Sequence, residues 1–413
     1  MPREQIVTGV DIGSTKVITC VGTPKEGMID IIGISNRPNS GVRKGVITDI
    51  EETVSAITAS LEEAERMSGL PINSAYISIG GTHISCTHSK GIIAISRSDG
   101  EISEVDVERV IEAARTVAMP PNQEILHIVP QYFTIDEQEE QVKDPIGMSG
   151  VRLEVTTQVI SGSGSAIRNL TKCVAQSGLN IDELVFAPLA TSEILLSKKQ
   201  KEVGVMLLDI GATSTQMVIF EDGNLIHSKV LPVGSNYITN DIAIGLRTTI
   251  EAAEKIKIKH ATANIKNAKE EDQIKLSSFD PTSDNKISKK YIAEIVEARL
   301  TEIFSMVKDE LKQVKRDGLL PAGVVFTGGG SKLNGLLDFS KEYLRLPAQI
   351  GNPIIEVSGM VDKLDDPVYT ASVGLMLRGI KEGSSDQKEN SKISHSMDDF
   401  VDKAKDIFKH FIP

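Results

Sequence analysis

The chain has 413 residues, more than one compact core usually serves, so two or more lobes are expected. Its 57 acidic and 45 basic side chains leave a formal charge of −12, which speaks against nucleic acid, a partner that needs a basic stripe. With 40% hydrophobic and 25% charged residues the composition excludes a mostly disordered chain.

Cys20, Cys86 and Cys173 lie far apart with no CxxC pair, so neither a disulfide framework nor a zinc ribbon is expected. Free thiols fit a reducing compartment. The opening residues lack an apolar leader core, and no apolar run nears the roughly 20 residues that span a bilayer. On average the chain reads as cytoplasmic and acidic.

In chain order, strand-like runs alternate with helical periodicity, the pattern of an α/β fold. Residues 6–10 and 17–21 flank a glycine turn and predict a hairpin. Val54, Ile57, Leu61 and Ala64 predict a helix over 51–67 that stops at Gly69-Leu70-Pro71, and 75–79 returns as a strand. Residues 83–161 read differently. A strand at 91–95, a helix over 104–117 capped by Ser103, and strands at 125–135 and 153–160 suggest a small α+β unit inserted into a larger domain. The Ser-Gly run 161–165 is its exit hinge or a plain strand-to-helix loop. A helix over 166–177, a strand at 184–186 and a helix over 189–197 lead to a polar link at 198–202. Then 203–209 and 216–220 repeat the opening hairpin pattern. A loop-rich stretch over 261–290 precedes a long amphipathic helix over 291–315, and a polar linker over 381–394 precedes one last helical pattern.

Three glycine-rich turns carry the chemistry. Asp11-Ile-Gly13-Ser14-Thr15-Lys16 sits at the first hairpin turn and Asp209-Ile-Gly211-Ala212-Thr213-Ser214-Thr215 at the second. Glycine lets successive N–H groups converge on phosphate oxygens, hydroxyls add donors, and Lys16 can neutralise phosphate charge. Asp11 and Asp209 are placed to hold Mg2+, through water because that ion keeps much of its hydration shell. One such turn is ordinary turn chemistry. Two in matching strand contexts suggest an internal duplication with a phosphate clamped between related lobes. The third turn, Thr327-Gly328-Gly329-Gly330-Ser331, follows a strand at 324–326 and precedes a predicted helix over 333–337. Bare backbone there would let a base or ribose lie close. Neither a dinucleotide-binding G-x-G-x-x-G nor a Walker A sequence is present.

This order of turns resembles the actin, Hsp70 and sugar-kinase superfamily. Within it the chain resembles the FtsA family of bacterial cell-division proteins. The carrying segments are Gly41-Val-Arg-Lys-Gly-Val-Ile47, Tyr76-Ile-Ser-Ile-Gly-Gly-Thr-His-Ile84, His127-Ile-Val-Pro-Gln-Tyr-Phe133 and, most specific, Lys143-Asp-Pro-Ile-Gly-Met-Ser-Gly-Val-Arg-Leu153. The resemblance implies an α/β, actin-like two-lobed fold with duplicated phosphate-binding hairpins and a C-terminal amphipathic helix. Its subdomains would be 1A (1–82 and 163–200), an inserted 1C (83–162), 2A (201–242 and, returning to 1A, 319–380) and 2B (243–318), followed by a linker (381–395) and a terminal helix (396–413). It also implies ATP as the nucleotide, with Gly234 and Asn236 among the residues that bind it and Glu254 and Lys257 near the adenosine. Read alone, Glu254 and Lys257 are an ordinary exposed charged pair.

Superfamily members that hydrolyse ATP well carry an acid or amide just before a Pro-x-Ala-Ala-like helix start. Here the segment is Phe186-Ala187-Pro188-Leu189-Ala190, and Ala187 can neither orient nor deprotonate water. Strong nucleotide binding with slow hydrolysis is expected, the nucleotide mainly setting lobe closure and polymerisation. No HExxH, metal-like His pair or G-x-S-x-G elbow occurs.

In the tail, Met397, Phe400, Val401, Ala404, Ile407, Phe408, Phe411 and Ile412 follow helical spacing after the candidate cap Ser396. Such a helix docks on its own protein's core or lies in a membrane interface; the polar linker before it and the Phe-rich face weigh towards the interface. The resemblance implies the same, a membrane-targeting helix on the inner face of the cell membrane at the division site. It further implies partners: the tail peptide of the tubulin-like FtsZ, a second copy of the chain in an actin-like filament, and later division proteins. Lys289, Lys290, Tyr291 and Arg299 are candidates for the FtsZ peptide, or simply a solvated charged helix face. The competing readings are a PilM-like pilus platform protein and a small-molecule kinase of the same superfamily.

Overall fold

The computed structural model describes residues 6–25, 28–97, 99–115, 122–136, 140–281, 283, 285–355, 357–360 and 365–389. The expected amphipathic tail, with Phe400, Val401, Ala404, Ile407, Phe408, Phe411 and Ile412, lies outside the described residues.

Two mixed sheets organise the chain. The first runs, side by side, Asn180–Phe186, Ser74–Ile79, Val7–Ile12, Lys16–Lys25, Met28–Pro38 and Val357–Gly359. The second runs Ala348–Ile350, Val324–Thr327, Val205–Ile210, Thr215–Glu221 and Asn224–Leu231. In each, two parallel pairings lead into an antiparallel meander whose first turn is the Asp-x-Gly hairpin. Even the register repeats. Asp11 faces Ile18 across the first hairpin and Asp209 faces Gln216 across the second. The duplication suspected from two short motifs therefore extends over five strands in order and direction.

Each sheet is covered by helices whose apolar stripes the sequence shows. Ile50–Ser68 is capped by Asp49, whose side chain accepts from the Glu52 N–H, and ends at left-handed Gly69. It buries Ala56, Ile57, Leu61 and Ala64 against the first sheet. Lys289–Gln313 buries Ile292, Val296, Leu300, Ile303, Phe304, Val307 and Leu311 in the second lobe, each side chain stabilising by about 1.5–3 kcal/mol relative to exposure. Between the first lobe's Ser74–Ile79 and Asn180–Phe186 strands the chain detours through a separate antiparallel sheet, ordered Ile84–Ala94, Arg152–Ser163, Gln123–Ile135. Glu104–Arg115 covers it over a core of its own (Ile102, Val107, Val110, Phe133, Leu153, Val155).

A closing helix, Thr370–Glu389, returns to the first lobe and packs on Val7–Ile12 and on Ala187–Leu195. A Cβ on Gly9 would collide with the Ser372 carbonyl, and one on Gly374 would lie 2.5 Å from the Ala190 carbonyl oxygen. Backbone meets backbone at both crossings.

Four local expectations are corrected. The 161–165 run is neither hinge nor loop, because Arg152–Ser163 passes directly into the helix Gly164–Gln176. The polar link at 198–202 is a helix, Lys198–Val203, held by a capping box between Ser197 and Gln200. The glycine run itself enters a 3-10 turn, Gly329–Lys332, and the α-helix starts only at Leu336 (Leu336–Leu344) behind left-handed Gly335. The proposed linker is helical through Glu389.

Candidate functional site

The two Asp-x-Gly turns face each other across a cleft of about 1160 Å³ between the lobes. Both turns close identically: the Gly13 N–H donates to the Lys16 carbonyl and the Gly211 N–H to the Ser214 carbonyl, each at 3.0 Å. They also touch. Thr213 donates its hydroxyl to Ser14 Oγ at 2.7 Å, and the Lys44 N–H donates to Thr213 Oγ1 at 3.0 Å. Behind the second turn, the Ser235 and Asn236 N–H groups donate to the carbonyls of Gly211 and Ala212 at 2.9 and 2.8 Å. Gly234 permits that approach, since a Cβ there would sit 2.7 Å from the Ala212 and Gly211 carbonyl oxygens.

Asp11 and Asp209, at the two strand ends, both line the cleft. Burial pushes the Asp209 carboxyl up to about 7, with the Asp11 charge adding to it. Burial also raises Asp11, against a hydrogen bond from Ser78 and the charge of Lys16. Two desolvated acids that repel each other suit a cation between them. Two carboxylates with water completing the shell suit Mg2+, although no cluster of three or more His, Cys, Asp or Glu exists among the described residues.

Most of the expected nucleotide set converges here: Gly13, Ser14, Thr15, Lys16, Gly211, Ala212, Thr213, Ser214, Asn236, Glu254, Lys257, Gly328, Gly329 and Gly330 all line the cleft. Thr215, Gly234 and Ser331 do not. Thr215 is buried and donates to the Val233 carbonyl, while Ser331 is buried and donates to the Gly328 carbonyl. The glycine run also needs a different explanation. Gly328 is left-handed and lies against Asp209 Oδ1, and Gly330 lies against the Ile210 side chain. Only Gly329 has room, its Cβ position being 3.7 Å from the nearest atom, Val368 Cγ2. Packing on the strand end by itself requires glycine at two of the three, and all three line the cleft.

Lys257 is not the exposed partner of a surface pair. Its ammonium donates to Thr239 Oγ1 at 2.8 Å, to the Ser235 carbonyl at 3.3 Å, and pairs with Glu254 at 2.7 Å. Thr239 in turn donates to Glu254. Sequence reasoning missed Thr239, Ser78, Gly80, Gly81 and Gln216 as members of the site, and Thr239 and Gln216 belong to no quoted motif. Ser78, Gly80 and Gly81 were noticed only within the Tyr76–Ile84 segment.

Ala187, at the start of the helix Ala187–Leu195, lines the cleft too. The residue before it is held from the inserted unit: the Phe186 N–H donates to Nε2 of His127 at 2.9 Å. Nε2 is therefore the bare nitrogen, and Nδ1 lies 3.9 Å from Glu183 Oε1. Burial keeps this ring neutral, pulling its pKa down to about 4.

The four candidates for a peptide partner differ in what they touch, although Tyr291 and Arg299 both meet the helix Ser235–Leu246. Lys289 lines the cleft between the lobes. Lys290 pairs with Glu270 at 3.5 Å, and the exposed Tyr291 hydroxyl lies 3.5 Å from the Gly245 carbonyl. Arg299 is committed to a bidentate pair with Asp241 at 2.6 and 2.9 Å and to Glu302, beneath the Tyr237 ring.

A family model described as "Cell division protein FtsA" matches residues 206–374, and one described as "SHS2 domain inserted in FTSA" matches residues 81–161, the detour sheet. The cell division protein FtsA of Pseudomonas aeruginosa is 39% identical over 381 residues, which cover 92% of this chain and 90% of that protein. The chain belongs to the FtsA family. Among solved structures, the PilM-PilN type IV pilus biogenesis complex superposes with a TM-score of 0.67 at 17% identity over 91% of this chain and 98% of that one. MreB5 of Spiroplasma citri, solved bound to ADP, superposes with a TM-score of 0.55 at 14% identity over 95% and 100%. These distant likenesses show the actin-like fold alone, and the family assignment sets aside the pilus-platform reading.

Proposed function

We propose that this FtsA-family protein binds ATP with Mg2+ between its lobes, polymerises as an actin-like filament, and tethers the FtsZ ring to the inner face of the cell membrane, where later division proteins join. The observation that carries the nucleotide part is the pair of identical turns meeting across one cleft, with Asp11 and Asp209 at their bases. MreB5, which shares the fold, was solved with ADP.

In this reading the N–H groups of residues 13–16 and 211–214 cradle the phosphates, Lys16 offsets their charge, and Asp11 and Asp209 hold the hydrated cation. Lys257, Glu254 and Thr239 form a preassembled polar wall for the nucleoside. Ala187 leaves the water side without an acid or amide from that helix, which fits slow turnover. Residues 83–162 serve as 1C and 243–318 as 2B. Tyr291 and Lys290 are the better candidates for the FtsZ peptide, because Arg299 is already paired and Lys289 belongs to the cleft. The tail, through Phe400, Val401, Ala404, Ile407, Phe408, Phe411 and Ile412, supplies the membrane contact.

Titration calorimetry of the full chain with ATP, with and without Mg2+, tests the core of this reading. Saturable binding that weakens without Mg2+ is expected; absence of binding overturns it.

A further inference from the structure

The duplicated hairpins differ at one register position in a way that folding alone does not need. Opposite Asp11 the first hairpin carries Ile18, fully buried. Opposite Asp209 the second carries Gln216. Ile18 and Gln216 both line the cleft. The Gln216 Oε1 is buried and, among the described residues, accepts no hydrogen bond, a costly state for an amide oxygen unless a ligand or water completes it.

The amide is also seated. Gln216 reaches across from the second lobe to Gly80, which follows the first lobe's strand Ser74–Ile79 and lines the same cleft. A Cβ on Gly80 would lie 2.7 Å from Gln216 Oε1 and 3.1 Å from Nε2, and its three closest neighbours are all atoms of that amide. The first lobe thus leaves a side-chain-sized gap that this amide occupies. Meanwhile Ala187, also in the cleft wall, has no polar side-chain atom to offer.

We propose that Gln216 is the water-positioning residue for hydrolysis of the bound nucleotide, supplied by the second lobe in place of the missing group at Ala187. The inference rests on the ATP-binding reading above. The amide oxygen accepts a hydrogen bond from the water and takes no proton. The water oxygen bonds to the γ-phosphorus, and the bond from that phosphorus to the β,γ-bridging oxygen breaks, its electron pair leaving with ADP. The water's proton passes to a γ-phosphate oxygen and on to solvent, giving ADP, inorganic phosphate and a proton. Because the amide lies against the other lobe, it is in place only when the lobes are closed, which ties hydrolysis to closure.

The test measures ATP affinity by calorimetry and phosphate release at saturating Mg·ATP for the full-length wild type, Gln216→Ala, Gly80→Ala and the double variant. Gln216→Ala should keep ATP affinity within about threefold while turnover falls roughly 10–100-fold, the cost of losing the water's alignment. Gly80→Ala should produce a similar fall by displacing the amide, and the double variant should be no slower than Gln216→Ala. Wild-type turnover in Gln216→Ala with ATP bound overturns the proposal, as do additive losses in the double variant. Wild-type protein that binds ATP but releases no phosphate overturns this proposal alone. Wild-type protein that binds no ATP overturns the nucleotide reading and this proposal with it.

Discussion

Thr213 of the second hairpin donates its hydroxyl to Ser14 of the first, so the lobes touch through the tips of their duplicated turns. The same Thr213 oxygen receives the Lys44 N–H, which belongs to the first lobe's Gly41–Ile47 segment. One hydroxyl therefore bridges three loops at the place where the phosphates are proposed to sit. Thr213→Val keeps the shape and removes the bridge. A hydrogen bond of about 1 kcal/mol predicts a fall in ATP affinity of about fivefold, read by calorimetry, with easier proteolysis between the lobes of the nucleotide-free protein.

Asp209 trades stability for a binding site. Its carboxyl titrates near 7 in the folded chain against 3.8 in the unfolded one, so the folded state holds an extra proton between those values. That contribution is present below pH 4 and is lost as the pH rises through 7. Asp209→Asn should melt higher than the wild type at pH 8, by several degrees for a change on the order of 3 kcal/mol, with the gap closing towards pH 4. The same substitution should weaken Mg·ATP binding. A variant that melts no higher at pH 8 contradicts the buried-acid account.

His127 has the opposite dependence. Its ring is neutral down to about pH 4 in the fold, against 6.5 when unfolded, so the unfolded chain binds more protons between those values. The stability it contributes is complete above 6.5 and is lost as the pH falls towards 4. His127→Phe leaves the buried Phe186 N–H without its acceptor and should destabilise by about 1–3 kcal/mol at pH 7.5, measured by urea unfolding. The deficit relative to wild type should shrink at pH 5.

Gly9 admits no side chain. Gly9→Ala would drive a methyl into the Ser372 carbonyl, and overpacking of this kind costs about 1–3 kcal/mol or more. Thermal denaturation should show a clear loss, whereas Gly69→Asn, at an open left-handed helix end, should change little.

The terminal pattern predicts membrane binding through apolar burial, since its few lysines give little electrostatic help. Phe408→Glu should abolish co-sedimentation with liposomes while leaving ATP affinity unchanged. Retention on liposomes contradicts the anchor.

Much of the fold was legible because its parts are local. Each hairpin announces itself through a strand, an Asp, a glycine and a second strand, and the long second-lobe helix through its stripe from Ile292 to Leu311. The helix at 198–203 was legible as well, in the Ser197 and Gln200 capping pair, but its lysines read as a loop. What could not be read was mutual placement. Nothing near Gln216 announces that Gly80 lies beside it, and nothing near His127 announces that it holds Phe186. Lys289 looked like a neighbour of Tyr291 because sequence adjacency does not say that the helix starts at the rim of the cleft. The glycine run hid a packing role for a similar reason: Gly328 and Gly330 lie against Asp209 and Ile210, residues distant in the chain.

The closing helix has a mechanical consequence. At Gly9 and Gly374 its backbone rests directly on a strand and on another helix, and Val373, Leu375, Met376 and Leu377 are buried in the apolar core around those crossings. Its first turn carries Ala371 at the cleft wall, and further along Lys381 is pinned to Glu193 at 2.9 Å. Shear needs a side-chain layer free to re-register, and backbone-on-backbone crossings resist that, so this helix should move as one body with the strand and helix it touches. Any load applied beyond Lys381 then reaches the cleft wall at Ala371 through a rigid element.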